Sequence, residues 1–183
     1  MIPTAPGSTM TAPAGTAITA SVSAGTVTAF GETVPAVFGK GGALPAADKR
    51  EGDGATPLGI WPIRAALLRP DRVAAPATTL PWRWLRPNDG WSDDAADPSY
   101  NRPVTLPHAF SAETLWRDDH AYDVILILGH NDTPPTAPHG SAIFWHCTQP
   151  DHRPTEGCIA IDRAILLRWL AQIPAGAILH ITR

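Results

Sequence analysis

The sequence predicts a mainly β domain carrying one or two short helices, and three observations lead there. Apolar residues recur with period two, or as short continuous runs, over Ala17–Ser23, Thr26–Phe30, Ile60–Leu67, Tyr122–Leu128, Ser141–His146 and Ala177–Ile181. Helical spacing is sustained in one segment, from Arg163 to about Gln172. Twenty prolines and fifteen glycines imply many turns between short elements. At 183 residues and 44% apolar content the chain can bury one good core, so a single domain over residues 16–183 is expected. The formal charge of −3 gives no basic footprint for nucleic acid, and no apolar run approaches the length of a membrane span.

In chain order, residues 1–15 are mostly Pro, Ala, Gly, Ser and Thr and read as a flexible arm. Residues 1–30 contain no Lys or Arg and lack the apolar core of a signal peptide. The first two strands flank Ala24-Gly25 as a hairpin, and Pro35–Phe38 reads as a third strand ending at Gly39. Gly41–Gly59 is a long loop, which inside a compact domain is more often functional than idle. Pro70–Pro107 is rich in Pro, Trp, Asp and Arg with little periodicity. Trp82, Trp84 and Trp91 are too large for a solvated linker and should pack as an irregular layer against the sheet, edged by Asp93, Asp94, Asn101 and Arg102. Those charged residues serve equally as salt-bridged loop residues or as partners for a zwitterionic substrate.

Ser111 is placed to cap a short helix running to Asp119. The run Val124-Ile125-Leu126-Ile127-Leu128 is the strongest strand and should be central, covered on both faces. His130, just beyond it, either lines a site or fixes a turn. His139 and His152 read as solvated. Asp162 caps the Arg163 helix, whose Ile165, Leu166, Trp169, Leu170 and Ile173 belong to the core, and Pro174 and Gly176 stop it.

Chemistry concentrates between Gly140 and Ile161. Alternation along Ser141–His146 puts Ala142, Phe144 and His146 on one face and leaves the imidazole at the strand end. A polar loop containing Pro150 and Pro154 returns through Thr155-Glu156-Gly157 to Cys158. An imidazole that accepts a thiol proton makes a thiolate–imidazolium pair that attacks carbonyls. Gly157 leaves its own amide and that of Cys158 uncrowded, able to point together at a developing oxyanion. Taken alone, the two residues fit as well a small buried cysteine and a satisfied core histidine. Cys147 and Cys158 could pair in an oxidising compartment, although a nucleophilic Cys158 must be free. The histidines and cysteines lack the close paired spacing of structural zinc sites.

The order His146, loop, Thr155-Glu156-Gly157-Cys158-Ile159 resembles the signature of the YkuD-type L,D-transpeptidases, which cross-link peptidoglycan in the bacterial envelope. Thr56-Pro57-Leu58-Gly59 resembles the family's T-P-x-G segment, and Trp91–Arg102 with Gly129–Asn131 resembles a compact proteobacterial branch, so the likeness covers most of residues 30–183. It implies a curved β-sheet or sandwich and a Cys158 nucleophile with His146 as base, the latter held in one tautomer by the Cys147 carbonyl. It further implies stem-peptide contacts from Trp91, Asp93, Asn101, Arg102, His130, Thr155 and Glu156, susceptibility to carbapenems, a periplasmic location, and no metal or organic cofactor. Asp93 or Asp94 would then hold an ammonium and Arg102 a carboxylate. The sequence departs from the family in having Glu156 where many members have His, Ala160 where many have Arg or Asn, a short His146–Cys158 separation, and no visible export signal.

Overall fold

The computed structural model describes residues 17–183, so the arm expected at residues 1–15 lies outside it. Short strands fold into a hairpin meander: β1 (Ile18–Ser21), β2 (Thr26–Ala29) and β3 (Glu32–Val37), the first turn closing at Gly25 with φ 65°. After β4 (Ala43–Pro45) comes the longest strand, β5 (Thr56–Leu68). The segment beyond it holds β6 (Trp82–Trp84), β7 (Asp89–Ser92), β8 (Pro103–Thr105) and β9 (Ala112–Thr114). The last third is β10 (Val124–Leu128), β11 (Phe144–Cys147), β12 (Ile159–Ile161), the single helix α1 (Arg163–Leu170) and β13 (Ile178–Thr182).

The main sheet runs β10-β11-β12-β3-β2-β1-β13-β5-β4 and closes on itself because β5 is long enough to serve two neighbours. Its first half pairs with β13, Gly59 opposite Ile181, and its second half with β10, Leu68 opposite Val124. β7, β8 and β9 form a separate small sheet against one side. The expectation of a mainly β, curved sheet or sandwich holds, with one helix among the described residues.

Strands β5, β10, β11 and β12 form a wall between two cores, and alternation assigns each side chain. Leu68, Val124, Leu126, Trp145, Cys147, Ile159 and Ile161 face the larger core, which α1 covers with Leu166, Trp169 and Leu170. Leu67, Ile125, Phe144 and Cys158 face the smaller one, together with Leu85, Trp91, Leu115 and Tyr122. Asp162 caps α1 as expected, its carboxylate accepting from Ala164 N at 2.8 Å and Ile165 N at 3.1 Å.

Several elements differ from expectation. The segment from Ser111 to Asp119 is not a helix: Ala112–Thr114 pairs with β7, Glu113 opposite Trp91, and Leu115 is fully buried. So short a helix has little stability of its own, and tertiary pairing overrides the cap signal. β5 begins at Thr56 instead of Ile60, inside the expected loop, where it pairs with β4. The tryptophan-rich layer is built on strands, Trp82 and Trp84 in β6 and Trp91 in β7. The strand expected from Ser141 is regular only from Phe144, because Ala142 takes a φ of 52°. Among the described residues no helix is long and apolar enough to cross a membrane.

Candidate active site

His146 and Cys158 reach one cavity of about 550 Å³ from adjacent parallel strands. His146 lies opposite Ala160, while Cys158, one residue before β12, lies level with Phe144. Phe144 N–H donates to Cys158 Sγ at 3.4 Å, and the thiol points at Ala142 O, 3.2 Å away. The turn into Cys158 is locked by Thr155, whose hydroxyl donates to Cys158 O at 2.7 Å and accepts from Gly157 N at 3.3 Å. Thr155 is itself anchored, since Thr155 N donates to Phe38 O at 2.9 Å and Lys40 N to Thr155 O at 2.8 Å. Gly157 has φ 127°, and a Cβ there would sit 2.8 Å from Ala55 O, so only glycine fits. At Gly39 a Cβ would meet Gly54 O at 2.2 Å and the Gly157 Cα at 3.0 Å, so backbones from three parts of the chain cross at the turn into Cys158.

His146 Nδ1–H donates to Cys147 O at 2.9 Å, which leaves the acceptor lone pair on Nε2. Tyr122 packs edge-on against the imidazole, ring centroids 5.1 Å apart, and also belongs to the cluster around Cys158. Burial lowers the imidazole pKa to about 4, and burial, aided by the Glu113 charge, pushes the Cys158 thiol up to about 12. Burial thus favours the neutral thiol and the neutral imidazole over a charged pair. The segment bearing Tyr122 is clamped from behind: Arg72 Nη1 donates to Asp119 O at 2.6 Å and to the fully buried Asp123 carboxylate at 2.9 Å.

Other expected site residues divide into two groups. Asp93, Thr155 and Glu156 line the cavity, with Glu156 ion-paired to Lys40 at 2.8 Å. Trp91, Asn101, Arg102 and His130 do not line it. Asn101 is buried and acts as a joint, its Oδ1 accepting from Trp91 Nε1 at 2.9 Å and Ala142 N at 3.1 Å while Nδ2 donates to Asn131 O at 2.6 Å. Trp91 stacks edge-on on Phe144, and Arg102 Nη2 donates to Asp132 O at 2.6 Å. His130 is buried against Trp61 and contacts His139 O through Nε2 at 2.9 Å, so it braces a turn. Asp94 uses its carboxylate on Ala96 N, 2.9 Å away. Cys147 and Cys158 are both free and face opposite cores, so a bridge between them has no path.

Sequence reasoning missed Glu51, Glu113, Arg117, Tyr122 and Ser141, all of which line the cavity. Tyr122 was signalled by its place at the mouth of the strongest strand. Glu113 was hidden by the helix reading, and its three-residue strand, Ala112–Thr114, is too short to show a period. Among the described residues no group of three His, Cys, Asp or Glu side chains is placed to hold a metal ion.

The model of the L,D-transpeptidase catalytic domain, YkuD, matches residues 15–181. The chain belongs to this family. No curated protein matches it. Within this L,D-transpeptidase domain the matched span includes every element of the wall that carries His146 and Cys158.

Proposed function

We propose that this L,D-transpeptidase-family protein cross-links peptidoglycan stems through a thioester on Cys158. One observation carries the reading: the Cys158 thiol and the His146 imidazole open on one cavity, with His146 Nδ1 tied to a carbonyl so that its basic Nε2 is free. In a tetrapeptide donor the sulfur attacks the carbonyl carbon of the diamino acid at position three while its proton passes to Nε2. Burial favours the neutral form of each group, so the proton moves to Nε2 as the C–S bond forms. The Cys158 amide, joined by that of Gly157 once it leaves Thr155 Oγ1, faces the oxyanion. Collapse breaks the C–N bond, and terminal D-alanine leaves with the proton from His146. An amine then attacks the thioester carbon, its proton passes through His146 to the departing sulfur, and the amide is formed. The mechanism needs no metal or organic cofactor, and a peptidoglycan substrate would be met in the periplasm.

The acceptor amine would be that of L-alanine at position one, giving one-to-three links, or the diamino acid side chain, giving three-to-three links. Incubating the protein with a purified tetrapeptide muropeptide tests the reading. A cross-linked dimer supports transfer, and tandem mass spectrometry locates the new bond. Release of tripeptide alone would make the protein an L,D-carboxypeptidase, and an unchanged substrate would leave a peptidoglycan-binding domain. A carbapenem should add its mass to the wild type and not to Cys158→Ala; a wild type that never gains mass in drug excess counts against an accessible nucleophile.

A further inference from the structure

Three carboxyl groups, Glu51, Asp93 and Glu113, line the same cavity as the thiol. Burial, and to a smaller degree the charges of Asp93 and Glu51, raise the Glu113 pKa, while the Tyr122 hydroxyl and the Arg117 charge lower it. Like charges gathered in a partly desolvated site oppose one another unless a cation joins them. Arg117 lines the cavity and its charge reaches Glu113, but its hydrogen bonds go to Asp119, at 2.9 and 2.5 Å, and Lys49 holds Asp53 at 2.5 Å.

The acceptor atoms left over are specific. Glu113 Oε1 takes the Tyr122 hydroxyl, leaving Oε2 without a partner among the described residues. Asp93 Oδ1 is buried with no hydrogen-bond partner. Ser141, 7% exposed and lining the cavity, has a buried hydroxyl that is likewise unpartnered. Buried polar atoms are rarely left so, and each unmet acceptor points to an absent donor. Three acceptors match the three N–H bonds of a primary ammonium.

We propose that Glu113, Asp93 and Ser141 form the subsite for the ammonium of the acyl acceptor, a stem peptide presenting a free primary amine. The assignment rests on the thioester reading above for its role in transfer, though not for binding itself. The site adjoins the reacting centre, since Tyr122 joins Glu113 to the cluster that contains Cys158. During transfer the ammonium gives one proton to Glu113, and the neutral amine forms its bond to the thioester carbon. The C–S bond then breaks and the second nitrogen proton reaches the thiolate through His146. One amide N–H remains, and Glu113 returns its proton to water.

Calorimetric titration of the Cys158→Ala protein with a stem tripeptide, its amines free or acetylated, tests the subsite without any turnover. Acetylation should weaken binding roughly tenfold or more, as expected for loss of charge-assisted hydrogen bonds. Adding Glu113→Gln or Asp93→Asn should reduce that preference to about threefold or less, with Ser141→Ala as a milder variant that leaves the charges in place. Equal binding of the two peptides, no binding of either, or a preference unchanged in all three variants would overturn the proposal. A second arm uses the acyl-enzyme preformed on a tetrapeptide donor, where the donor position is already filled. There the variants should raise the acceptor KM about tenfold, and an unchanged KM would assign the ammonium contact to the donor instead and refute the acceptor role. Failure of the thioester reading shows separately, as a wild type that gains no mass with donor while the calorimetric preference persists.

Discussion

On one side of β11 and β12, Trp145, Cys147, Ile159 and Ile161 pack against Leu166 and Trp169 of α1. On the other, Phe144 and Cys158 face the smaller core, and Cys158 and His146 border a cavity lined with charged groups. Both cysteines are buried, and burial pushes both thiols up to about 12. Neither depth nor acidity therefore distinguishes them. What differs is the face: alternation along adjacent strands turns one sulfur into a sealed core and the other towards an imidazole and open volume.

The sharpest way to break this comparison is to remove each sulfur. Cys158→Ala should lower transfer by at least about a thousandfold with the fold retained, whereas Cys147→Ala should keep most activity and lose about 1 kcal/mol of stability. Product analysis beside a thermal melt reads both, and full activity in Cys158→Ala would end the mechanism. Next, the two faces should fail differently. Trp169→Ala, which empties the apolar side, should cost about 4 kcal/mol in denaturant unfolding. Asn101→Ala, which orphans Trp91 Nε1 and Ala142 N behind the cavity, should cost about 2 kcal/mol and lower activity as well.

The buried imidazole supplies a pH signature. With its folded pKa lowered to about 4 from 6.5, His146 takes up a proton more readily in the unfolded chain than in the folded one. Stability therefore falls as the pH drops from about 6.5 towards 4, by up to about 3 kcal/mol from this group. His146→Gln should flatten that slope in melts taken across the window, and an unaltered slope would mean that the ring is more hydrated than its surroundings indicate. The smallest effect belongs to the helix end, where Asp162→Ala should cost about 1 kcal/mol without touching activity.

Features that depend on neighbours in sequence were legible before the structure. The Val124–Leu128 strand, the Asp162 cap, the turn through Gly157 and the two faces of the Phe144–His146 strand all follow from spacing and side-chain type. Features fixed by distant partners were not. A three-residue strand such as Ala112–Thr114 has too few positions to show a period and owes its state to β7. Trp91, Asn101 and His130 are polar or aromatic residues outside any clear apolar period, which reads as substrate contact, yet their hydrogen bonds close on the protein itself. Glu113 shows the reverse: it carries no motif, and only the pairing with β7 brings it to the cavity.

The crossing of bare backbones at Gly39, Gly54 and Gly157 has a consequence for mutational tolerance. Elsewhere around the site a substituted side chain can be absorbed by rotation of its neighbours, but here the neighbours are carbonyls and α-carbons already in contact. A single methyl at Gly39 acts as a wedge that must lift either the Thr155–Cys158 turn or the start of β5, and a displacement of about 1 Å in a reacting atom can cost about a hundredfold in rate. In a saturation scan, the intolerance of the nucleophile's position should therefore extend to a glycine more than a hundred residues upstream of it, one that carries no chemistry of its own.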